Sequence, residues 1–214
     1  MARRDAERNR AKLIEAGRLM LAEGGPDVPR EEIARRAGVG IGTLYRHFPT
    51  REALVESIFA EHLVGVRAAA EEAAGAEDAW AGLVGFLEYV LELQAKNLAL
   101  RGVFLRHGDG RALVEHREQM LPLLGRLVER AKEQGALRGD YAVGDLWLAL
   151  WSFVSVLEAT AAVAPTVYRR HLRILLDGMR AEAATRQEAR PLAGKQLDAA
   201  IQAFRTRYKR RRAA

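Results

Sequence analysis

Apolar residues recur every three or four positions along most of the chain, and no stretch shows sustained alternation of apolar and polar residues. This spacing predicts an all-α protein. Glycine and proline separate the apolar stripes and so divide the chain into helices. The predicted helices span residues 7–22, 31–37, 41–48, 51–74, 78–97, 111–134 with a kink or restart at Pro122, 141–163, 167–182 and, as a short amphipathic helix, 196–208.

Residues 31–48 have the pattern of a helix-turn-helix. Two short helices would bury Leu44 and Phe48 on one side, and the small side chain of Ala34 would let the helices cross closely. Gly38 would supply the backbone angle that so tight a turn requires. Such a unit presents its second helix at the surface, where it can enter a DNA major groove.

The charge of the chain, +6 overall, is unevenly distributed. Residues 1–51 carry 11 Lys and Arg against 7 Asp and Glu, residues 52–179 carry 13 against 18, and residues 180–214 carry 10 against 3. Basic ends therefore flank an acidic middle. Charge runs are commonly solvated faces, but a basic segment that contains a helix-turn-helix suits a polyanionic partner.

Several classes of protein are disfavoured by composition. Cysteine is absent, which excludes disulfides, thiolate nucleophiles and thiolate zinc sites. No apolar run approaches the roughly 18 residues of a membrane span, and the charged N-terminus has no signal-peptide core. The sequence predicts a soluble cytoplasmic protein with no metal or cofactor.

The helix-turn-helix segment reads EEIARRAGVGIGTLYRHF and continues into a helix that starts at Thr50, Arg51 and Glu52. Over residues 7–60 the chain closely resembles the TetR family of transcriptional regulators, and the region beyond is similar to the regulatory domains of SbtR-like members. The resemblance implies a three-helix DNA-binding domain at residues 1–51. A larger helical domain at 52–182 would bind a ligand and dimerise, followed by a basic tail at 183–214.

The resemblance also implies contacts with DNA. Thr43, Tyr45 and His47 match positions that touch phosphates in the family, and Arg51 matches a basic position that meets the backbone. Other candidates come from position alone: Arg30 at the entry to the second helix, and Arg3 and Arg4 as a flexible arm for the minor groove. Tyr45 could instead pack on the first helix, and His47 could be a solvated surface residue.

Two residues depart from the family pattern. Gly40 stands where a hydroxyl residue often caps the recognition helix, which predicts a slightly more frayed start. Ile41 follows the turn and has no polar group for base edges. Base reading would therefore rest on Arg46 and Thr43, with a methyl contact from Ile41 to thymine.

In this family the larger domain holds a ligand pocket whose occupation changes the separation of the two DNA-binding heads. Aromatic walls and a few polar anchors are expected of such a pocket. The candidate lining residues are Phe86, Tyr89, Phe104, His107, Trp147 and Trp151, with Gln94, Asn97, His116 and Glu158 as further polar anchors. Aromatic residues at helical spacing could equally be ordinary core. The helices at 141–163 and 167–182 are the expected interface of a homodimer on a palindromic operator.

Two other functions stay open. The glycine-rich stretch 38–43 superficially resembles the phosphate-binding loop of an enzyme, but it lacks a preceding strand and the Lys-Ser/Thr ending of a P-loop. A sequence-neutral architectural DNA-binding protein would suit the basic tail, although it would rarely need a large aromatic-rich second domain.

Overall fold

A computed structural model describes residues 2–24, 27–96, 111–185 and 187–211. Apart from one isolated bridge between Leu137 and Arg180, the regular structure in these ranges is helical. The helices are α1 (Ala2–Gly24), α2 (Arg30–Arg36), α3 (Ile41–His47), α4 (Arg51–Gly75), α5 (Ala79–Lys96), α6 (Arg111–Glu133), α7 (Val143–Thr160), α8 (Val167–Met179) and α9 (Gly194–Arg211).

The chain forms two compact units, and the first contains the described residues up to Val64. Helices α1, α2 and α3 contact one another around a core that includes residues from all three. The first turns of α4 complete this core through Leu54, Val55, Ile58 and Phe59. The domain boundary that the sequence analysis places at 51/52 thus falls inside this unit, because α4 adds apolar residues that α1–α3 bury.

The start of α1 corrects one expectation. Arg3 and Arg4 belong to α1, which begins at Ala2, and not to an arm that precedes it. No glycine or proline interrupts this stretch, and Asp5 forms an ion pair with Arg8 one turn later. These local features favour continuation of the helix toward the N-terminus.

The turn between α2 and α3 has the predicted chemistry. Gly38 has a φ of +63°, a conformation that residues with a Cβ rarely adopt. The backbone nitrogen of Val39 donates to the carbonyl of Ala34 at 3.0 Å, and Ala34 is buried. Gly40 precedes α3 without a side-chain cap. A hydroxyl residue at Thr50, directly before Arg51, predicts a helix cap, and Oγ1 of Thr50 accepts from the backbone nitrogen of Ala53 at 3.1 Å.

The second unit comprises residues 65–96 and 115–207. Helices α5, α7 and α8 contact one another pairwise and enclose the core. Fully buried side chains of this unit are Leu83, Leu87, Leu91, Leu127, Leu146 and Phe153. Helix α7 is long and apolar enough to cross a membrane by length and composition, which is also typical of a helix packed in a protein core.

Arg130 on α6 and Gln134, directly after this helix, bond to the backbone at the end of α4 and the start of α5. Arg130 donates to the carbonyl oxygens of Ala74 at 2.6 Å and Ala76 at 2.7 Å. Gln134 accepts from the backbone nitrogen of Ala79 and donates to the carbonyl of Glu77, both at 2.9 Å. These bonds satisfy backbone groups that the end of α4 and the start of α5 leave without helical partners.

The structure defines α6, α7 and the end of α8 more closely than the sequence does. Helix α6 continues through Pro122 without a restart. The almost continuous apolar sequence of α7 predicts burial on every side, with one side covered by another subunit, and in the single chain Leu148, Ser152, Ser155 and Ala159 form an exposed outer face.

Helix α8 ends at Met179 rather than at residue 182. The backbone after it pairs with the segment before α7: Arg138 donates to the carbonyl of Met179 at 3.0 Å, and Ala181 donates to that of Ala136 at 3.1 Å. Between residues 97 and 111 the sequence predicts a helical segment at 98–106 and a loop at 107–110, and both lie outside the described residues.

We expect Gly38→Ala to destabilise the α2–α3 unit by about 1–2 kcal/mol, because the positive φ places a Cβ against the following carbonyl. Gly42→Ala is the control, since Gly42 lies within α3 with nothing within 4 Å of its added Cβ. That change should stabilise by about 0.5 kcal/mol. Amide hydrogen exchange across residues 30–48 measures the change in stability of each variant. If both variants were destabilised, or both stabilised, this account would be contradicted.

Arg130→Ala should lower the free energy of unfolding of the second unit by about 2–3 kcal/mol, since several carbonyls lose a charged donor. All three tryptophans of the chain lie in that unit, so tryptophan fluorescence during urea unfolding reports on it. Arg126→Ala removes the same charge from an exposed position of α6 and should change stability by less than about 0.5 kcal/mol. Similar losses for the two variants would show that charge, and not the carbonyl contacts, matters.

Candidate nucleic-acid interface

Helix α3 has two distinct sides. Leu44 is fully buried and Phe48, directly after the helix, is 1% exposed, while Ile41 and Tyr45 are 41% and 40% exposed. Arg46 also lies at the surface. The core assignment of Leu44 and Phe48 is thus confirmed, and the opposite side of the helix faces outward.

The N-terminal end of α3 has little side-chain cover. Gly40 and Gly42 are exposed, and a Cβ added to either would meet nothing within 4 Å. Thr43 and His47 are half-buried, and the His47 ring lies 6.2 Å from that of Phe48. The edge of a DNA groove can therefore come close to the backbone at this end of the helix.

Tyr45 is held by residues at the start of α2. Its hydroxyl donates to Oε1 of Glu31 at 2.9 Å, and the Arg30 guanidinium lies 4.4 Å from the centre of its ring. Tyr45 is 40% exposed, and its ring lies beside the start of α2. Its position combines a cation–π contact with a charge-assisted hydrogen bond.

The two arginines beside α3 are tied to backbone carbonyls. Arg30 donates to the carbonyls of Phe48 and Pro49, both at 3.2 Å, and Arg51 donates to that of Val28. These bonds link the start of α2, the end of α3 and the start of α4. Both cations are therefore positioned on the same unit as the exposed side of α3.

Glu31 is the residue of this site that sequence reasoning missed. Its pKa is lowered first by a hydrogen bond from its own backbone nitrogen, then by the Tyr45 hydroxyl and by the charges of Arg30 and Arg51. The carboxylate is therefore ionised at neutral pH. Nothing in the helical spacing links residues 31 and 45, because they lie on different helices and meet only through the turn.

The residues predicted to line a ligand pocket have mixed environments. Phe86 is buried and Tyr89 is 41% exposed, and Trp151 is half-buried. Buried polar atoms without a hydrogen-bond partner include Nε1 of Trp147 and Oε1 of Gln94. Phe104 and His107 lie outside the described residues.

Two surface cavities, of about 500 and 550 Å³, are outlined by described residues of the second unit, and neither includes the predicted lining. The larger one lies between the turn after α6, helix α8 and the segment before α9, with Tyr141, His171 and Pro191 among its walls. The location of a ligand pocket therefore stays a prediction.

Known proteins share both units. The family model of the tetR family of bacterial regulatory proteins matches residues 13–58, and that of the C-terminal domain of SbtR-like transcriptional regulators matches residues 78–181. A TetR transcription regulatory protein from Mycobacterium vanbaalenii is 32% identical, with a TM-score of 0.60 over 84% of this chain and 99% of the other. A TetR transcriptional regulator from Streptomyces coelicolor is 29% identical, with a TM-score of 0.59 over 80% and 98%.

A helix-turn-helix with an exposed second helix, joined to a larger helical unit, defines a DNA-binding transcriptional regulator. The chain belongs to the TetR family of these regulators. Both family expectations, the helix-turn-helix fold and the SbtR-like second domain, are thereby confirmed.

Proposed function

We propose that two copies of this chain bind a palindromic operator through α3 and repress transcription until a small molecule releases them. The observation that carries this proposal is the outward side of α3, on which Ile41, Tyr45 and Arg46 are exposed. The helix is anchored on its other side by Leu44. An exposed helix held in this way is the element that reads base edges in this class of protein.

The roles within the interface divide between anchoring and reading. Arg46 has a fork of donors suited to guanine, and Ile41 offers a methyl contact to thymine, with Thr43 beside them. Tyr45, His47, Arg30 and Arg51 would contact phosphates, and the bare backbone at Gly40 would allow the groove edge to approach. Phosphate contacts position the protein, and the base contacts then select the sequence.

Dimerisation is supported by the outer faces of α7 and α8. On α7, residues 148, 152, 155 and 159 are exposed and mostly small, so a second helix could approach closely. On α8, Val167 and Ile174 are 36% and 55% exposed, opposite the buried Leu172 and Leu176. We assign these faces to a two-fold interface, which matches a protein that reads two half-sites.

The effector would be a small molecule bound in the second unit. RolR, 20% identical and similar in fold with a TM-score of 0.58, has a structure in complex with resorcinol. In this chain the unpartnered Trp147 Nε1 and Gln94 Oε1 would offer polar contacts to a mainly apolar ligand. Phe86, Tyr89, Phe104, His107 and Trp151 remain the other proposed contacts.

The rival functions are less well supported. Gly38–Thr43 forms the turn and start of a helix-turn-helix, and no strand precedes it among the described residues, so a phosphate-binding loop of an enzyme is not proposed. An architectural protein that binds every sequence alike would not need the exposed side of α3 that is proposed to read bases. A regulator that acts on duplex DNA would work in the cytoplasm.

Arg46→Ala should weaken binding to the operator by about tenfold or more and leave affinity for a scrambled duplex nearly unchanged, because it removes a base contact. Tyr45→Phe should weaken binding to the operator and to the scrambled duplex by a similar factor, about three- to tenfold, because a hydrogen bond to phosphate carries no sequence information. Fluorescence anisotropy at fixed salt measures both affinities, with an operator obtained by selection from a random duplex pool.

The control for Arg46→Ala is Arg126→Ala, which removes the same charge from α6 in the second unit. It should leave both affinities unchanged within about twofold. An Arg46→Ala variant that loses affinity equally on operator and scrambled duplex would show that Arg46 contacts phosphate and not a base.

Ile174→Glu should convert the dimer to a monomer, because a charge would enter an apolar interface between copies without a partner. Since Ile174 is exposed in the protomer, the monomer should remain helical. Val64→Glu introduces the same charge at a valine that is 67% exposed on α4 and should leave the dimer intact. Sedimentation velocity with circular dichroism measures both properties, and a stable Ile174→Glu dimer would place the interface elsewhere.

A further inference from the structure

Glu31 places a negative charge beside a proposed phosphate contact. Its carboxylate accepts the Tyr45 hydroxyl hydrogen at 2.9 Å, and both residues are exposed on the surface of the first unit. A phenol hydroxyl has a single hydrogen to donate. Tyr45 can therefore donate to Glu31 or to a phosphate, and binding DNA through this hydroxyl requires it to give up the carboxylate.

The geometry also brings two anions together. A phosphate oxygen within hydrogen-bond distance of the Tyr45 hydroxyl would lie no more than about 6 Å from the Glu31 carboxylate. At that separation two like charges repel appreciably even in a highly polar medium. The carboxylate cannot be neutralised cheaply at neutral pH, because its own backbone nitrogen and Tyr45 lower its pKa.

We propose that Glu31 is an affinity-limiting residue that opposes the docking of phosphate on Tyr45 equally on every duplex. The inference rests on the phosphate contact proposed for Tyr45. A repulsion between Glu31 and phosphate that is the same on every duplex lowers the affinity for non-specific DNA, because non-specific binding consists almost entirely of phosphate contacts. Stable binding then depends on the base contacts of α3. A change in the spacing between the first units of the two copies, which breaks those contacts, would be enough to release the protein.

Glu32 provides a matched comparison. It lies in the same first turn of α2 and is also exposed, so it has a similar relation to the helix dipole. The hydrogen bond that Tyr45 donates reaches Glu31 and not Glu32. A difference between the two glutamates therefore reports the contact with Tyr45 and not a general change in charge.

Glu31→Gln removes the charge and keeps an oxygen that can accept from Tyr45. We expect it to tighten binding to operator and scrambled duplex alike by about three- to tenfold at low salt. Glu32→Gln should change either affinity by less than about twofold. In the Tyr45→Phe background the gain from Glu31→Gln should shrink, since the competition for the hydroxyl hydrogen no longer exists.

The outcomes separate this inference from the proposed function. Weaker binding by Glu31→Gln, or a change equal to that of Glu32→Gln, would overturn the inference if Tyr45→Phe still weakens binding to both duplexes. If Tyr45→Phe binds both duplexes as the unchanged protein does, the proposed phosphate contact is wrong and the inference fails with it. Hydrogen exchange across residues 30–48 of Glu31→Gln should match the unchanged protein, which shows that the unit remains folded.

Discussion

The burial of Leu44 and Phe48 determines how α3 is presented. A helix of seven residues is too short to be stable alone in water, so α3 exists because these side chains are removed from solvent by the core of the first unit. Each contributes roughly 2–3 kcal/mol through burial. Because they anchor one side of the helix, Ile41 and Tyr45 on the other side are held outward. The interface with DNA thus depends on the core beneath it.

Local chemistry explains why the helix-turn-helix could be predicted almost to the residue. Gly38, with its positive φ, and Thr50, with its cap on α4, each act through neighbours within a few positions in the chain. The apolar spacing that buries Leu44 is equally local. Such signals are readable from one sequence because the partner groups are never more than about one helical turn away.

Features that depend on distant partners could not be predicted. The end of α8 at Met179 is set by backbone pairing with residues 136–138, which are more than 40 positions earlier in the chain. The hydrogen bond between Tyr45 and Glu31 joins two helices across a turn. The first unit gains part of its core from α4 and extends to Val64, past the boundary at 51/52 that the resemblance implies.

The charged groups around α3 are held in place before any DNA arrives. Arg30 and Arg51 donate to backbone carbonyls, and Arg30 lies on the ring of Tyr45, so these side chains would lose little further freedom in the proposed contacts with phosphate. Preorganisation of this kind raises affinity by reducing the entropy lost on binding. Left unopposed, it would raise affinity for every duplex, because phosphates are the same in all of them. A carboxylate in the same cluster would have the opposite effect on the proposed phosphate contacts, so the affinity for a particular duplex would depend mainly on the base contacts of α3.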